Sequence, residues 1–303
     1  MAKYVTKRIL LAIVSIWIIT MITFFAMNAI PGGPFNKEKA TSAAVIATLE
    51  ARYNLDKPVG QQYIIYMNNL LHGDWGVSLT TGRDIWTDLW SRFQISAKLG
   101  GMASAVAIAF GLVLGSIAAL TRNKLPDRLI IFFTTLGTAM PSFVLATLLL
   151  LVFCLKLSLI PVWSSSNPNY ILPVIALAVY PMAYITRLTK TSMLDALNQD
   201  YVRTARAKGV SRLKVIFVHA LRNALIPVIT YVGPMIAYIL TGSMVVENIF
   251  TIGGLGSTFV TSITNRDYTT IMAVTIFLAI LMVVANLLTD IVYKFVDPRI
   301  KLD

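Results

Sequence analysis

Charge, cysteine and histidine are all scarce in this sequence. Only 13% of its 303 residues are Asp, Glu, Lys or Arg, and 56% are hydrophobic. An ordinary soluble domain carries about 25% charge, so the composition names the bilayer as solvent. A lone cysteine, Cys154, lies inside an apolar run and excludes an intrachain disulfide. Two histidines, His72 and His219, are too few for a structural metal site, and H-E-x-x-H is absent. No pair of acids falls inside an apolar run, so an intramembrane protease or other membrane enzyme has no dyad to work with. The phosphate-binding pattern G-x-x-x-x-G-K-[ST] is missing too, which denies the chain a P-loop for ATP.

What the chain has instead is long uncharged windows. Six of them, at 9–36, 99–121, 129–155, 157–186, 223–246 and 268–289, contain no Asp, Glu, Lys or Arg. A crossing needs about 20 apolar residues, because each adds about 1.5 Å of helix against about 30 Å of hydrocarbon. All six qualify by length. The fourth contains the polar run "SSSNPN", so its membrane part is expected to start near Tyr170 and run to about Arg187. The first window is too long for a signal-peptide core and no small-residue cleavage site follows it, which makes it an uncleaved first helix.

Basic residues orient the spans. With the N-terminus inside, the inner segments hold 17 of the 26 Lys and Arg, and the two short outer loops hold only Lys156 and Arg266. Both termini are therefore expected in the cytoplasm. The formal net charge of +12 is a topological signal, and no nucleic-acid partner follows from it. The expected fold is an all-α polytopic membrane protein with six transmembrane helices. Residues 1–30 would be the N-terminus and first helix, 31–96 an extracytoplasmic helical insertion, and 97–303 a five-helix core with a cytoplasmic loop at about 188–226. In the insertion, Tyr63, Tyr66, Met67 and Leu70 share one face of an amphipathic helix. That face suits a cap over helix ends and a docking surface equally well.

The inner loop carries "QDYVRTARAKGVSRLKVIFVHALRNALIP" at 199–227. Residues 200–208 suit a short helix, Gly209 suits the left-handed position after it, and Ser211 is placed to cap the next helix. Val210, Leu213, Ile216, Phe217, Ala220 and Leu221 should form the inward face of that second helix. A basic helix resting on anionic lipid would explain the charges but not the placed glycine.

The stretch "YVRTARAKG…HALRNALIP" resembles the cytoplasmic EAA loop of bacterial binding-protein-dependent ABC importer permeases, in the form used by the oligopeptide and dipeptide branch. The likeness runs along the chain through "AIPGGPF" at 29–35, "YNLDKPVGQQY" at 53–63, "GDWGVSL" at 73–79, "MPSF" at 140–143, "GSMVVENIFTIGGLG" at 242–256, "NRDY" at 265–268 and "DPRIKL" at 297–302. It is nearest to the B-type subunits of oligopeptide importers. Arg203, Thr204 and Ala205 stand where the general pattern has Glu-Ala-Ala, and Gly253 stands where relatives often carry proline, which points to a looser loop.

The resemblance implies one half of a type I permease heterodimer in the bacterial cell membrane. Its partners would be a homologous second subunit, two cytoplasmic ATPases that use ATP and Mg, an extracytoplasmic peptide-binding protein, membrane lipid and a peptide substrate. No cofactor would be bound by this chain. The resemblance assigns ATPase coupling to Asp200, Tyr201, Arg203, Thr204, Ala205, Arg206, Lys208 and Gly209, with His219 and Arg222 nearby, and an external gate loop to Glu247, Gly253, Gly254 and Gly256. Small residues Ala103, Ala107, Gly111, Gly115 and Ala119 repeat every fourth position and let helices approach closely, while Pro141, Pro173, Pro181 and Pro234 interrupt helical runs. Hydroxyls, aromatic rings and helix breaks at Met140, Pro141, Ser142, Tyr180, Tyr231, Pro234, Tyr238, Thr241 and Ser243 suit a pathway for peptides of varied side chain. An importer of dipeptides, glutathione or nickel complexes is the nearest alternative. An ion-coupled secondary transporter would need ionisable groups in mid-span, whereas Arg187, Glu247 and Asp290 fall at window ends.

Overall fold

The computed structural model describes residues 2–30, 35, 48 and 50–296. The motif at 297–302 and most of 29–35 lie outside them. Among the described residues the structure is helical, with one isolated bridge between Val77 and Asp84. We number the helices α1 (Ala2–Asn28), α2 (Val59–Leu71), α3 (Ile85–Leu120), α4 (Leu125–Ala139), α5 (Ser142–Lys156), α6 (Ile171–Leu197), α7 (Asp200–Ala207), α8 (Arg212–Lys214, Val215–Ala220 and Leu221–Leu240 in sequence), α9 (Met244–Ile249), α10 (Leu255–Asn265) and α11 (Tyr268–Val296). Five runs, in α1, α3, α6, α8 with α9, and α11, are long and apolar enough to cross a membrane, and the α4–α5 pair makes up to six.

Close helix approach builds the core. Ala103, Ala107, Gly111, Gly115 and Ala119 are all buried, and α3 packs along α6. A Cβ added at Gly111 would lie 2.6 Å from Ile185 Cγ2, and one at Gly115 would lie 2.6 Å from the Thr186 carbonyl oxygen. The small side chains are therefore the condition for this packing, which depends on backbone proximity where lipid gives no hydrophobic drive. At one end of the bundle Ala119 meets Met193, Ala196, Ile216 and Ala220 beside α7. At the other, Ile85 and Leu89 meet Leu255 and Phe277 beside α2.

Two expectations need correction. The third window is not one continuous, gently kinked helix, because α4 and α5 meet at Met140–Pro141 with a bend of 102°. Proline lacks the N–H that would continue the ladder and pushes its predecessor out of helical geometry, and Met140 is extended there at ψ 120°. Pro173 interrupts nothing, since it sits in the first turn of α6 where no partner is needed. Helix α6 itself continues past Arg187 to Leu197, so Arg187 lies inside a helix.

The segment between the first two crossings closes the α2 end. Tyr63, Tyr66 and Leu70 pack onto a cluster of Phe24, Met27, Ile271 and Met272, and Tyr63 Oη lies 2.8 Å from Thr20 Oγ1. The opposite face leaves Ile64 68% exposed and Leu71 82% exposed. A second tie is the buried Asp267, which accepts from Ser78 Oγ at 2.5 Å, Thr80 Oγ1 at 2.9 Å and Leu79 N at 3.1 Å. It welds the loop before α3 to the start of α11. Helix α3 begins at Ile85, inside the segment expected to be the insertion, and its 36 residues would span about 54 Å at about 1.5 Å each, well beyond a hydrocarbon core. Asp84 caps it, accepting from the Thr87 hydroxyl at 2.6 Å and amide at 2.8 Å, and these bonds hold the carboxyl below its usual pKa.

Candidate functional site

The bend between α4 and α5 opens a cavity of ≈ 990 Å³ against α6, α8 and α11. All nine residues picked for a pathway line it: Met140, Pro141 and Ser142 at the bend, Tyr180 on α6, Tyr231, Pro234 and Tyr238 on α8, and Thr241 and Ser243 beyond α8. Residues scattered over more than a hundred positions thus converge because one break turns α5 away and exposes the flanks of its neighbours. Tyr238 is 72% exposed and Tyr180 51%, so their rings face open space within the chain. The Tyr184 and Tyr231 rings stand 4.3 Å apart, extending the aromatic wall. Pro181 also lines the cavity and frees the carbonyl of Leu177, another lining residue. Sequence reasoning passed over Thr138, Leu177, Tyr184, Leu278 and Met282. Tyr184, one turn from Tyr180, was the readable signal; the apolar ones carried none.

Past the cavity the chain turns through α9 into the glycine-rich loop. Glu247, near the end of its span, is fully buried, and its carboxylate accepts from Ser96 Oγ at 2.7 Å and Ser257 N at 3.1 Å. Ser96 Oγ in turn accepts from Leu255 N at 2.8 Å. Gly254 is required by this crowding, since a Cβ there would overlap Ser96 Oγ and lie 2.6 Å from Glu247 Oε2. Gly256 similarly faces the Met244 backbone, and Gly253 gives its carbonyl to Arg92 Nη1 at 3.1 Å. On either side of Gly253, Ile252 N donates to Glu247 O at 2.8 Å and Gly254 N to Ile252 O at 2.9 Å.

At the other end, α7 is short and outward-facing. Val202 and Ala205 are its inward residues and pack with Val215 and Val210, while Asp200, Tyr201, Arg203, Thr204, Arg206 and Lys208 are exposed. Gly209 adopts φ +73°. Its N–H donates to Arg206 O at 3.0 Å, and Val210 N donates to Ala205 O at 3.1 Å. That is the Schellman pattern, with Val210 folding back onto Ala205 as its apolar contact. Ser211 occupies the next N-cap position, but its side chain makes no cap bond. Of the face expected on α8, Ile216 and Ala220 are buried and Val210 and Leu221 pack against buried clusters, whereas Leu213 and Phe217 are 69% and 57% exposed and Val215 and Ala224 are buried as well. Residues Val215–Ala220 are π-helical, and the wider turn brings Val215 inward beside Ile216. His219 is half-buried on that stretch and Arg222 is exposed after it.

Comparisons with known proteins agree along the whole chain. Residues 111–302 match the model of the binding-protein-dependent transport system inner membrane component, and residues 1–99 match that of its N-terminal part. The dipeptide transport system permease protein DppB of Bacillus subtilis is 47% identical, over 100% of this chain and 99% of its own. The oligopeptide transport system permease protein OppB of Haemophilus influenzae is 41% identical over 99% of this chain and 100% of its own. Among solved structures, an amino acid ABC transporter superposes with a TM-score of 0.57 at 16% identity, covering 69% of this chain and 94% of that one. The MetNI methionine ABC transporter gives 0.53 at 14%, covering 69% and 95%. At such identities these two speak for the fold alone. The chain belongs to the binding-protein-dependent transport family and is a multi-pass inner-membrane permease subunit of an ABC importer, a transporter component and not an enzyme.

Proposed function

We propose that this subunit forms half of a peptide translocation pathway and transmits ATPase motion to it through α7. The observation that carries the reading is the cavity: aromatic rings, hydroxyls and a broken helix bound a volume at the upper end of those that hold small molecules. Its lining has polarity without charge, which suits a backbone of constant chemistry with variable side chains. The permease proteins of dipeptide and oligopeptide systems named above support peptides as the class, with oligopeptides as our first reading and dipeptides as the second.

The full assembly we propose has six crossings with both termini in the cytoplasm, a homologous second permease subunit, two ATPases supplying ATP and Mg chemistry, and an external peptide-binding protein. On this topology α7 faces the cytoplasm, where Arg203, Arg206 and Lys208 suit an acidic groove rim on an ATPase. His219 and Arg222 would support α7 from α8. The Glu247 loop and α2 face outward, toward the binding protein, with Gly253, Gly254 and Gly256 shaping the outer closure.

Reconstitution with the other subunits in lipid vesicles tests the assignment. ATP with peptide-loaded binding protein should drive uptake that persists when the proton gradient is collapsed; uptake that stops at once makes the chain part of an ion-coupled carrier. In the same vesicles, Arg203→Glu with Arg206→Glu should change subunit stability by under about 0.5 kcal/mol, as exposed substitutions do, while uptake falls at least about tenfold. Normal uptake by that double variant would remove α7 from coupling.

A further inference from the structure

Two cations lie one turn apart on α6, and they are treated differently. Lys190 donates to Asp127 Oδ1 at 2.5 Å, a pair with side chains 19% and 6% exposed. Arg187, half-buried, reaches Thr138 Oγ1 at 2.5 Å and, among the described residues, no carboxylate. The Thr138 hydroxyl commits its own proton to its helix, at the carbonyls of Thr134 (3.1 Å) and Thr135 (3.0 Å), so a lone pair is all it offers. A guanidinium has five N–H donors. Its remaining donors are left for something else.

Position sharpens the point. Arg187 stands ten residues before the end of α6, about 15 Å by helix rise, on a helix packed against α3, α4 and α8. A half-buried guanidinium with no carboxylate beside it is expensive to keep unless further acceptors reach it. Thr138 lines the cavity at the α4–α5 bend, and none of the lining residues is charged. The cation against that wall is therefore the one held on Thr138.

We propose that Arg187 is an anion subsite of the cavity, the counter-charge for a carboxylate of the cargo as it passes the bend. This rests on the peptide reading above, which supplies a cargo with a terminal carboxylate and sometimes an acidic side chain. Thr138 acts as the positioning residue, holding the guanidinium in one rotamer with its free edge available. Arginine suits the task because its planar fork binds a carboxylate through two bonds.

The test uses the complete transporter in vesicles with three probes: trialanine, its C-terminal amide, and the amide of Ala-Glu-Ala. Arg187→Gln should lower kcat/KM for trialanine by about tenfold and that for its amide by less than about twofold, whatever preference the binding protein imposes, since that preference is common to both chains. Arg187→Lys should keep the acid-to-amide ratio within about threefold of wild type. Recovery of Arg187 dependence with the Ala-Glu-Ala amide extends the subsite to side-chain carboxylates, and its absence confines it to the terminus. Equal losses for trialanine and its amide would make Arg187 a structural tie between α4 and α6 and overturn the subsite, as would unchanged trialanine uptake. Wild type importing none of the three overturns the peptide reading itself. Should Arg187→Gln fail to assemble, labelling of Arg187 by phenylglyoxal in the wild-type complex decides: protection by trialanine and not by its amide supports the subsite, and equal labelling overturns it.

Discussion

The two ends of this bundle are built on opposite principles. At the α2 end, the loop after α9 is tied by a buried carboxylate, a buried serine and backbone amides from residues far apart in sequence, and Gly254 has no room for a side chain. At the other end, α7 is held by four apolar side chains and one turn, and a Cβ added at Gly209 would meet nothing within 4 Å. Dense polar bonding fixes a shape; a small apolar seat with an exposed charged face permits a body to be pushed as a unit. The difference teaches which end of a permease can be displaced at low cost and which must hold its form while the rest moves.

The comparison breaks first at the tight end. Glu247→Ala should cost about 3 kcal/mol, since it leaves a cavity and deprives Ser96 Oγ and Ser257 N of their acceptor. Gly254→Val should cost a similar amount through overlap with Ser96 and Glu247, which have no side of the site to retreat into. Thermal unfolding of the assembled subunit in lipid reads both. A loss near zero for either would mean that the loop is held by something other than this network.

The next effect is smaller and lies at the loose end. Gly209→Ala introduces a Cβ at φ +73°, a conformation that costs an L-residue about 1–2 kcal/mol, although the space around it is open. Gly209→Pro cannot reach that φ at all and must rebuild the turn. Both should leave membrane insertion intact while ATP hydrolysis loses its link to uptake, more completely in the proline variant. Normal peptide uptake by Gly209→Pro would show that the angle between α7 and α8 carries no motion.

Much of this was readable from residue types. Prolines, tyrosines and hydroxyls stand out in apolar spans, which is why nine picks fell on one cavity, and the fourfold spacing of Ala103 to Ala119 announced a close helix contact. The Schellman turn was legible because a glycine followed a basic last turn. What escaped depends on geometry or on distant partners. Composition cannot tell a kink from the 102° break at Pro141. Nothing in "VIFVHA" signals a π-helical widening, and Leu213 and Phe217 were placed inward although they are exposed. Glu247 looked like a span-end charge because its partner Ser96 is 151 residues away.

The finest version of the comparison uses one residue type at two helix starts. Ser243 precedes α9 at the tight end, and its Oγ accepts from Val246 N at 3.2 Å. Ser211 precedes α8 at the loose end with extended backbone, as a cap should have, yet its hydroxyl bonds nothing in the helix; the helix start is held by the backbone bond from Val215 N to Ser211 O at 3.0 Å. An alanine substitution removes the hydroxyl and keeps the backbone bond. Ser243→Ala should therefore cost about 1 kcal/mol, the usual worth of a serine cap, and Ser211→Ala no more than about 0.3 kcal/mol. Paired unfolding midpoints of the two variants check this directly. Equal losses would mean that the Ser211 hydroxyl engages when α7 is loaded, and the loose end would then owe part of its order to capping as the tight end does.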